Sequence, residues 1–215
     1  AEGHRRALKE SGFDGIYPDL RQFCLDQQRI HGIANKRMIE AVRCNRQVIG
    51  YCVHALVAGD WIMGAGLLDL FRNPKTYAYE GTKAASRPRI IAIRMSPRNV
   101  YARRGTQIEI TGVNDRDEVT GVLKVDIISD DDETVFAKTI DVRLATGITQ
   151  LLKEKLNTKT LEGTYTVRVQ ITADDGVPIA ANEYSFDVFT QDWLAVPDGR
   201  IAVLDPSNSL KPFLK

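Results

Sequence analysis

The chain has 215 residues, enough for one or two domains with cores of their own. Hydrophobic residues make up 43% and charged residues 27%, the composition of an ordinary globular chain. A formal net charge of +1 removes any whole-chain case for binding nucleic acid or an anionic membrane, and no apolar run has the length of a membrane-spanning helix.

The opening residues, AEGHRRALKE, contain no apolar signal core. They fit a chain that stays inside the cell or whose leader lies outside these residues. Residues 6–9 read as a short strand, and Glu10-Ser11-Gly12-Phe13-Asp14-Gly15 as the loop leaving it. Glu10 would then carry a carboxylate at the exit of a buried strand, where glycine lets a ligand come close to the backbone. Glu2-Gly3 is a rival that lacks both the strand and the loop pattern. Asp19 is a plausible N-cap for a long helix, in which Leu20, Phe23, Cys24, Gln27, Ile30 and His31 keep helical spacing. Gly32 weakens that pattern near its middle, residues 36–42 resume it, and Asn45 can end it.

The central stretch is 47–75, QVIGYCVHALVAGDWIMGAGLLDLFRNPK. Residues 48–56 form an apolar run of strand length, interrupted by Gly50, such as a parallel sheet covered on both faces demands. A Gly/Asp/Trp segment, 59–66, follows; a polar and aromatic loop after a strand is where α/β barrels keep their sites. Within it, Trp61 can stack on a sugar ring while Asp60 binds hydroxyls, or the indole can plug a barrel mouth. His54 lies in the apolar run, facing a pocket or satisfied in a core. Asp69 can cap or pair locally. Asn73-Pro74 stops the second apolar run, and residues 79–86 form another short helix ahead of Pro88.

From Arg87-Pro88 the period changes to two. Ile91 and Ile93 alternate, as do Ile108 and Ile110; Leu123, Val125 and Ile127; Tyr165, Val167, Val169 and Ile171; and Tyr184, Phe186 and Val188. Turn signals separate them at 104–105, 114–115, 129–133, 161–163 and 174–178. This spacing predicts a β-sandwich of immunoglobulin-like size, without the Cys–Trp–Cys framework of antibody domains. The acidic residues 130–133 read as a charged hairpin tip rather than a calcium loop. Cys24, Cys44 and Cys52 have no zinc spacing and read as small buried hydrophobes, and the three histidines form no metal pattern. Arg98, Arg103 and Arg104 are scattered, with no basic stripe interleaved with aromatics.

Residues 50–56 (GYCVHAL), Asp60-Trp61 and residues 66–75 (GLLDLFRNPK) together resemble the end of the catalytic barrel in glycoside hydrolase family 2, the family of β-galactosidases, β-glucuronidases and β-mannosidases. The helical segment ending Glu40-Ala41-Val42-Arg43-Cys44-Asn45 is similar to the one before the last barrel strand there. Residues 80–88 look like the final barrel helix, which leads into an immunoglobulin-like domain. The resemblance implies a nucleophile at Glu10, because Glu10-Ser11-Gly12, with Phe13-Asp14-Gly15 and Pro18-Asp19-Leu20 after it, matches the end of the seventh strand. It implies that His54, Asp60 and Trp61 bind substrate; His54 stands where many members carry Trp, which leaves the sugar open. The acid/base glutamate of the family follows an Asn on the fourth strand, outside this chain. Asn182-Glu183 lies in the sandwich pattern and is read as a coincidence.

The expected fold class is therefore α/β plus all-β. Residues 1–87 would be the last two βα units of a (β/α)8 barrel, residues 88–190 an immunoglobulin-like sandwich, and residues 191–215 a tail or the start of a further domain. The expected function is part of a retaining β-glycoside hydrolase acting on a carbohydrate substrate, with no cofactor and no metal. Its partners would be the remainder of the parent enzyme or other chains, since unpaired edges and exposed apolar surface are expected in the first third. The alternative is a non-catalytic carbohydrate-binding or structural module.

Overall fold

The computed structural model describes residues 2–57, 66–190 and Pro206. Helices occupy the first part: α1 (Glu2–Glu10), α2 (Leu20–Arg43) and α3 (Thr76–Ala85), with a 3-10 turn at Phe13–Gly15 between the first two. Eight strands follow: β1 (Arg89–Ser96), β2 (Val100–Tyr101), β3 (Thr106–Asn114), β4 (Val119–Ser129), β5 (Thr134–Leu144), β6 (Gly147–Leu156), β7 (Gly163–Ala173) and β8 (Pro178–Phe189).

The strands build two sheets, ordered β1-β3-β6 and β2-β8-β7-β4-β5. All pairings are antiparallel except the two-residue contact of β2 with the end of β8. The inward side chains of both sheets form one cluster, including Ile91, Ile110, Leu123, Ile127, Val167, Ile171 and Val188. This is a β-sandwich, and each of the alternating sets expected from the sequence lies on a strand and contributes to that core or packs on it. The hairpin tip at 129–133 is also found, closed by the Ser129 N–H donating to the Glu133 carbonyl at 2.9 Å.

Helix α2 begins as read: the Asp19 carboxylate accepts from the Gln22 N–H at 2.8 Å, satisfying one of the donors a helix start leaves open. It then runs unbroken through Gly32. That residue is where α3 crosses: a Cβ on Gly32 would stand 2.3 Å from the Tyr77 carbonyl oxygen, and one on Gly81 would stand 2.5 Å from the Gly32 carbonyl oxygen. The glycine that weakens the helical pattern is thus the one that lets two backbones touch. At the end of α2, Arg43 donates to the carbonyls of Ala85 (2.6 Å) and Arg87 (2.7 Å) and pairs with the Asp115 carboxylate at 2.6 Å. One guanidinium therefore closes the last turn of α3 and ties both helices to the end of β3.

Two sequence expectations are corrected. Residues 6–9 are not a strand; they lie inside α1. Arg5, Arg6, Ala7, Leu8, Lys9 and Glu10 are good helix formers, and a helix satisfies its backbone locally, whereas a strand needs a neighbour. Residues 48–56 form no ladder either. Between α2 and α3 the described residues contain only isolated bridges, Val57 with Leu68 and Leu68 with Pro74. An apolar run can be a parallel strand only where strands lie alongside it, and among the described residues none does.

Candidate functional site

Glu10 is the last residue of α1, not the end of a strand. Its side chain is exposed and lies 3.7 Å from Arg6 one turn earlier, an ion pair in open solvent that contributes little. The following chain turns through Gly12 at φ 76° and the 3-10 turn. Phe13, Tyr17 and Phe23 then gather, with Tyr17 edge-on to Phe23 at 5.2 Å, and dock this turn on the start of α2.

His54 is exposed in irregular chain, next to Ala55 at φ 59°. Asp60 and Trp61 lie outside the described residues. Of the four residues singled out for chemistry, the structure therefore places Glu10 and His54, both on the surface, and among the described residues joins neither to another carboxylate. The cysteines are also less buried than expected: Cys52 is exposed, and Cys24 and Cys44 are half-buried. Burial, helped by the neighbouring Glu40 carboxylate and opposed by Arg43, pushes the Cys44 thiol up to about 11. Cys44 is thus a neutral, unreactive thiol at physiological pH.

Asp69 has a definite local task. One carboxylate oxygen accepts from the N–H groups of Phe71 and Asn73, each at 2.8 Å, and the other accepts from the Asn73 side chain at 3.1 Å. The Asp69 N–H in turn donates to the Asn73 carbonyl at 2.9 Å, and Lys75, the residue before α3, donates its N–H to Leu67 at 2.9 Å. These bonds fold residues 67–75 into a compact turn that delivers the chain to α3.

A cleft of about 470 Å³ lies where α2 meets the outer face of the five-stranded sheet. Lys36, Lys124, Asp126, Arg168, Gln170 and Glu183 line it, with Lys124 and Asp126 paired at 2.9 Å. It has no aromatic platform for a sugar ring and lies apart from the residues singled out in the sequence.

No protein-family model matches this sequence, and no curated protein matches it. Solved structures do. A β-D-mannosidase from Dictyoglomus thermophilum superposes on 74% of this chain with a TM-score of 0.61 and 23% identity. An exo-chitosanase from Amycolatopsis orientalis superposes on 79% with a TM-score of 0.58 and 18% identity. In fold, the chain resembles the family 2 glycoside hydrolases. It spans about a fifth of the length of those two structures, 19% and 20% respectively. A match over three quarters of the chain is too long for the sandwich alone, so the likeness takes in residues ahead of β1.

What the sequence reading missed is the polar seam between α2 and the sandwich. Asn182 lies inside β8 as expected, but its amide reaches Glu40 and Lys36 on α2. Its signal was a lone Asn among inward positions that otherwise carry Ala180, Tyr184, Phe186 and Val188. No helix among the described residues is long and apolar enough to cross a membrane.

Proposed function

We propose that this chain is the C-terminal part of the catalytic barrel, with the following domain, of a retaining β-glycoside hydrolase of family 2. Residues 1–87 supply the last two βα units, residues 88–190 the immunoglobulin-like domain, and residues 191–215 a tail or the start of a further domain. The observation that carries this reading is the fold likeness to a β-D-mannosidase over 74% of the chain, combined with the family-like residues at 50–56 and 66–75.

Two details of the sandwich support its immunoglobulin-like character. The order β8-β7-β4-β5 reproduces the G-F-C-C′ succession of that fold, opposite a three-stranded sheet. The Tyr165 hydroxyl, near the start of β7, accepts from the Glu162 N–H at 3.2 Å, as in a tyrosine corner. The exposed apolar side chains of the first part, among them Ile16, Ile49, Leu56 and Phe71, support a surface meant to be covered by further chain.

In this reading Glu10 is the nucleophile, and His54, Asp60 and Trp61 bind the sugar. Retention needs a second carboxyl group about 5–5.5 Å away, acting as acid and then as base. That group belongs to residues outside this chain. Strands laid beside residues 6–9 and 48–56 would give both segments the backbone partners they lack here, and residues 6–9 would exchange helical for ladder hydrogen bonds.

The exposed, ion-paired position of Glu10 favours the second reading, a non-catalytic carbohydrate-binding or structural module. Glu10→Gln in the parent enzyme separates the two. A nucleophile removed this way costs several orders of magnitude in hydrolysis, and a slow-turnover fluorinated glycoside that labels the wild type on Glu10 leaves the variant unlabelled. Hydrolysis within a few fold of wild type overturns the assignment.

A further inference from the structure

Helix α2 meets the sandwich through polar groups, and one side chain is at their centre. The Asn182 amide nitrogen donates to the Glu40 carboxylate at 3.0 Å and to the Ile91 carbonyl at 2.6 Å. Its oxygen accepts from the Lys36 ammonium and from the Glu183 N–H. Both donor hydrogens and both lone pairs of the amide are therefore used. Lys36 and Glu40 also pair with each other at 2.8 Å, with the Glu40 side chain only 9% exposed. From the next residue of α2, the Arg37 guanidinium lies 4.4 Å over the Tyr184 ring.

Asn182 stands on β8 and Ile91 on β1, so the amide joins strands from different sheets to a helix outside both. An apolar residue here would continue the inward pattern of β8 and let α2 slide. A fully bonded, half-buried amide favours one helix position, because any shift breaks several of its four hydrogen bonds at once. We propose that Asn182, with Lys36 and Glu40, is a latch that fixes the pose of α2 on the sandwich. Through α2 it also sets the segment that carries Glu10 and Asp19. The latch rests on this geometry alone; only its consequence for turnover depends on the glycosidase reading.

The test uses direction of donation. Asn182→Asp keeps the acceptor for Lys36 but loses both donated bonds and sets a second carboxylate against Glu40. Adding Glu40→Gln places an amide opposite the introduced carboxylate and lets it donate back across the seam. Hydrogen exchange on the 215-residue chain should show amides of residues 32–43 opening roughly tenfold faster in Asn182→Asp, with most of this recovered in the double variant and β4 and β7 unchanged. Unchanged exchange in α2, or a double variant as loose as the single one, overturns the latch. If Asn182→Asp fails to fold, Lys36→Met serves: it removes one partner and should speed the same amides roughly threefold, and no acceleration counts against the proposal. A parent enzyme without glycosidase activity ends the functional reading and leaves the exchange result standing.

Discussion

The two parts of the chain use apolar residues in opposite ways. In the sandwich, side chains such as Leu123, Ile127, Val167 and Ile171 are wholly buried between sheets whose backbones are paired over most of their length. In the part before β1, the buried apolar residues among those described are Ile39, Ala78 and Ala85, two of them alanines. The exposed large apolar side chains are distributed the other way: all but Val177 precede residue 78, and Ile49 is fully open at 104%. The sandwich has closed its core with the residues it contains. The helical part has folded what it can locally, through caps, a glycine crossing and polar ties to the sandwich, and has left its apolar surface uncovered.

That contrast is open to direct attack. Leu123→Ala should cost about 3 kcal/mol in urea unfolding of the 215-residue chain, because no neighbour in a two-sheet core can fill the space. Ile49→Ala should change the same measurement by less than about 0.5 kcal/mol, since its side chain loses no contact with water on folding. Comparable losses at both sites would mean that the apolar run at 48–56 is covered in solution, and would dissolve the distinction.

A smaller effect is expected at the helix crossing. Alanine is a better helix former than glycine by about 1 kcal/mol, so Gly32→Ala should stabilise α2 if propensity decided the matter. The new Cβ would instead meet the Tyr77 carbonyl at 2.3 Å, a backbone atom that cannot swing aside. Overpacking of this kind costs about 1–3 kcal/mol, so a net loss of about 1 kcal/mol is expected, confined to α2 and α3. Exchange of helix amides reads it, and slower exchange in the variant would sink the argument for a contact crossing.

How far the sequence revealed these features follows from the same contrast. The β1, β3, β4, β7 and β8 positions were legible because each carries a run of two or more inward apolar residues in alternation. Strands β5 and β6 were not. Both are edge strands, and each puts a charge at an inward position: Lys138 and Glu154 pair there at 2.8 Å. Such charges protect edges, and they also erase the pattern. A bulge opposite Ile110 and Thr111 further shifts the β6 alternation between Leu151 and Leu152. In the first part, the Asp19 cap was legible because its bond is local. The strands expected at 6–9 and 48–56 were not formed, because strand character depends on neighbours that the described residues do not supply. Glu10 was read as a strand-end acid for its local sequence, and the helix beneath it follows from the same residues.

The finest distinction concerns a turn that needs neither a core nor a neighbour. Asp69 holds residues 67–75 through backbone N–H donors, so this part of the helical region should respond to pH through bonds of its own. The N–H of Asn73 is the main cause that lowers the Asp69 carboxyl below its ordinary 3.8, followed by the Asn73 side chain, the Phe71 N–H and the charge of Lys75; partial desolvation works against them. A depressed folded pKa means that the turn gains stability above the ordinary carboxylate value and loses it as pH falls through the folded one. Nuclear magnetic resonance titration should therefore find the Phe71 and Asn73 amides in their bonded positions through the ordinary Asp range, moving only at lower pH. Asp69→Asn should abolish that step, because a neutral amide oxygen can serve only part of the donor set. A midpoint at or above 3.8 would show that the bonds to Asn73 and Phe71 do not favour the charged form. The turn at α3 would then need another source of order, and the nearest is the bridge of Leu68 with Val57 and Pro74, which ties it to the apolar run rather than to itself.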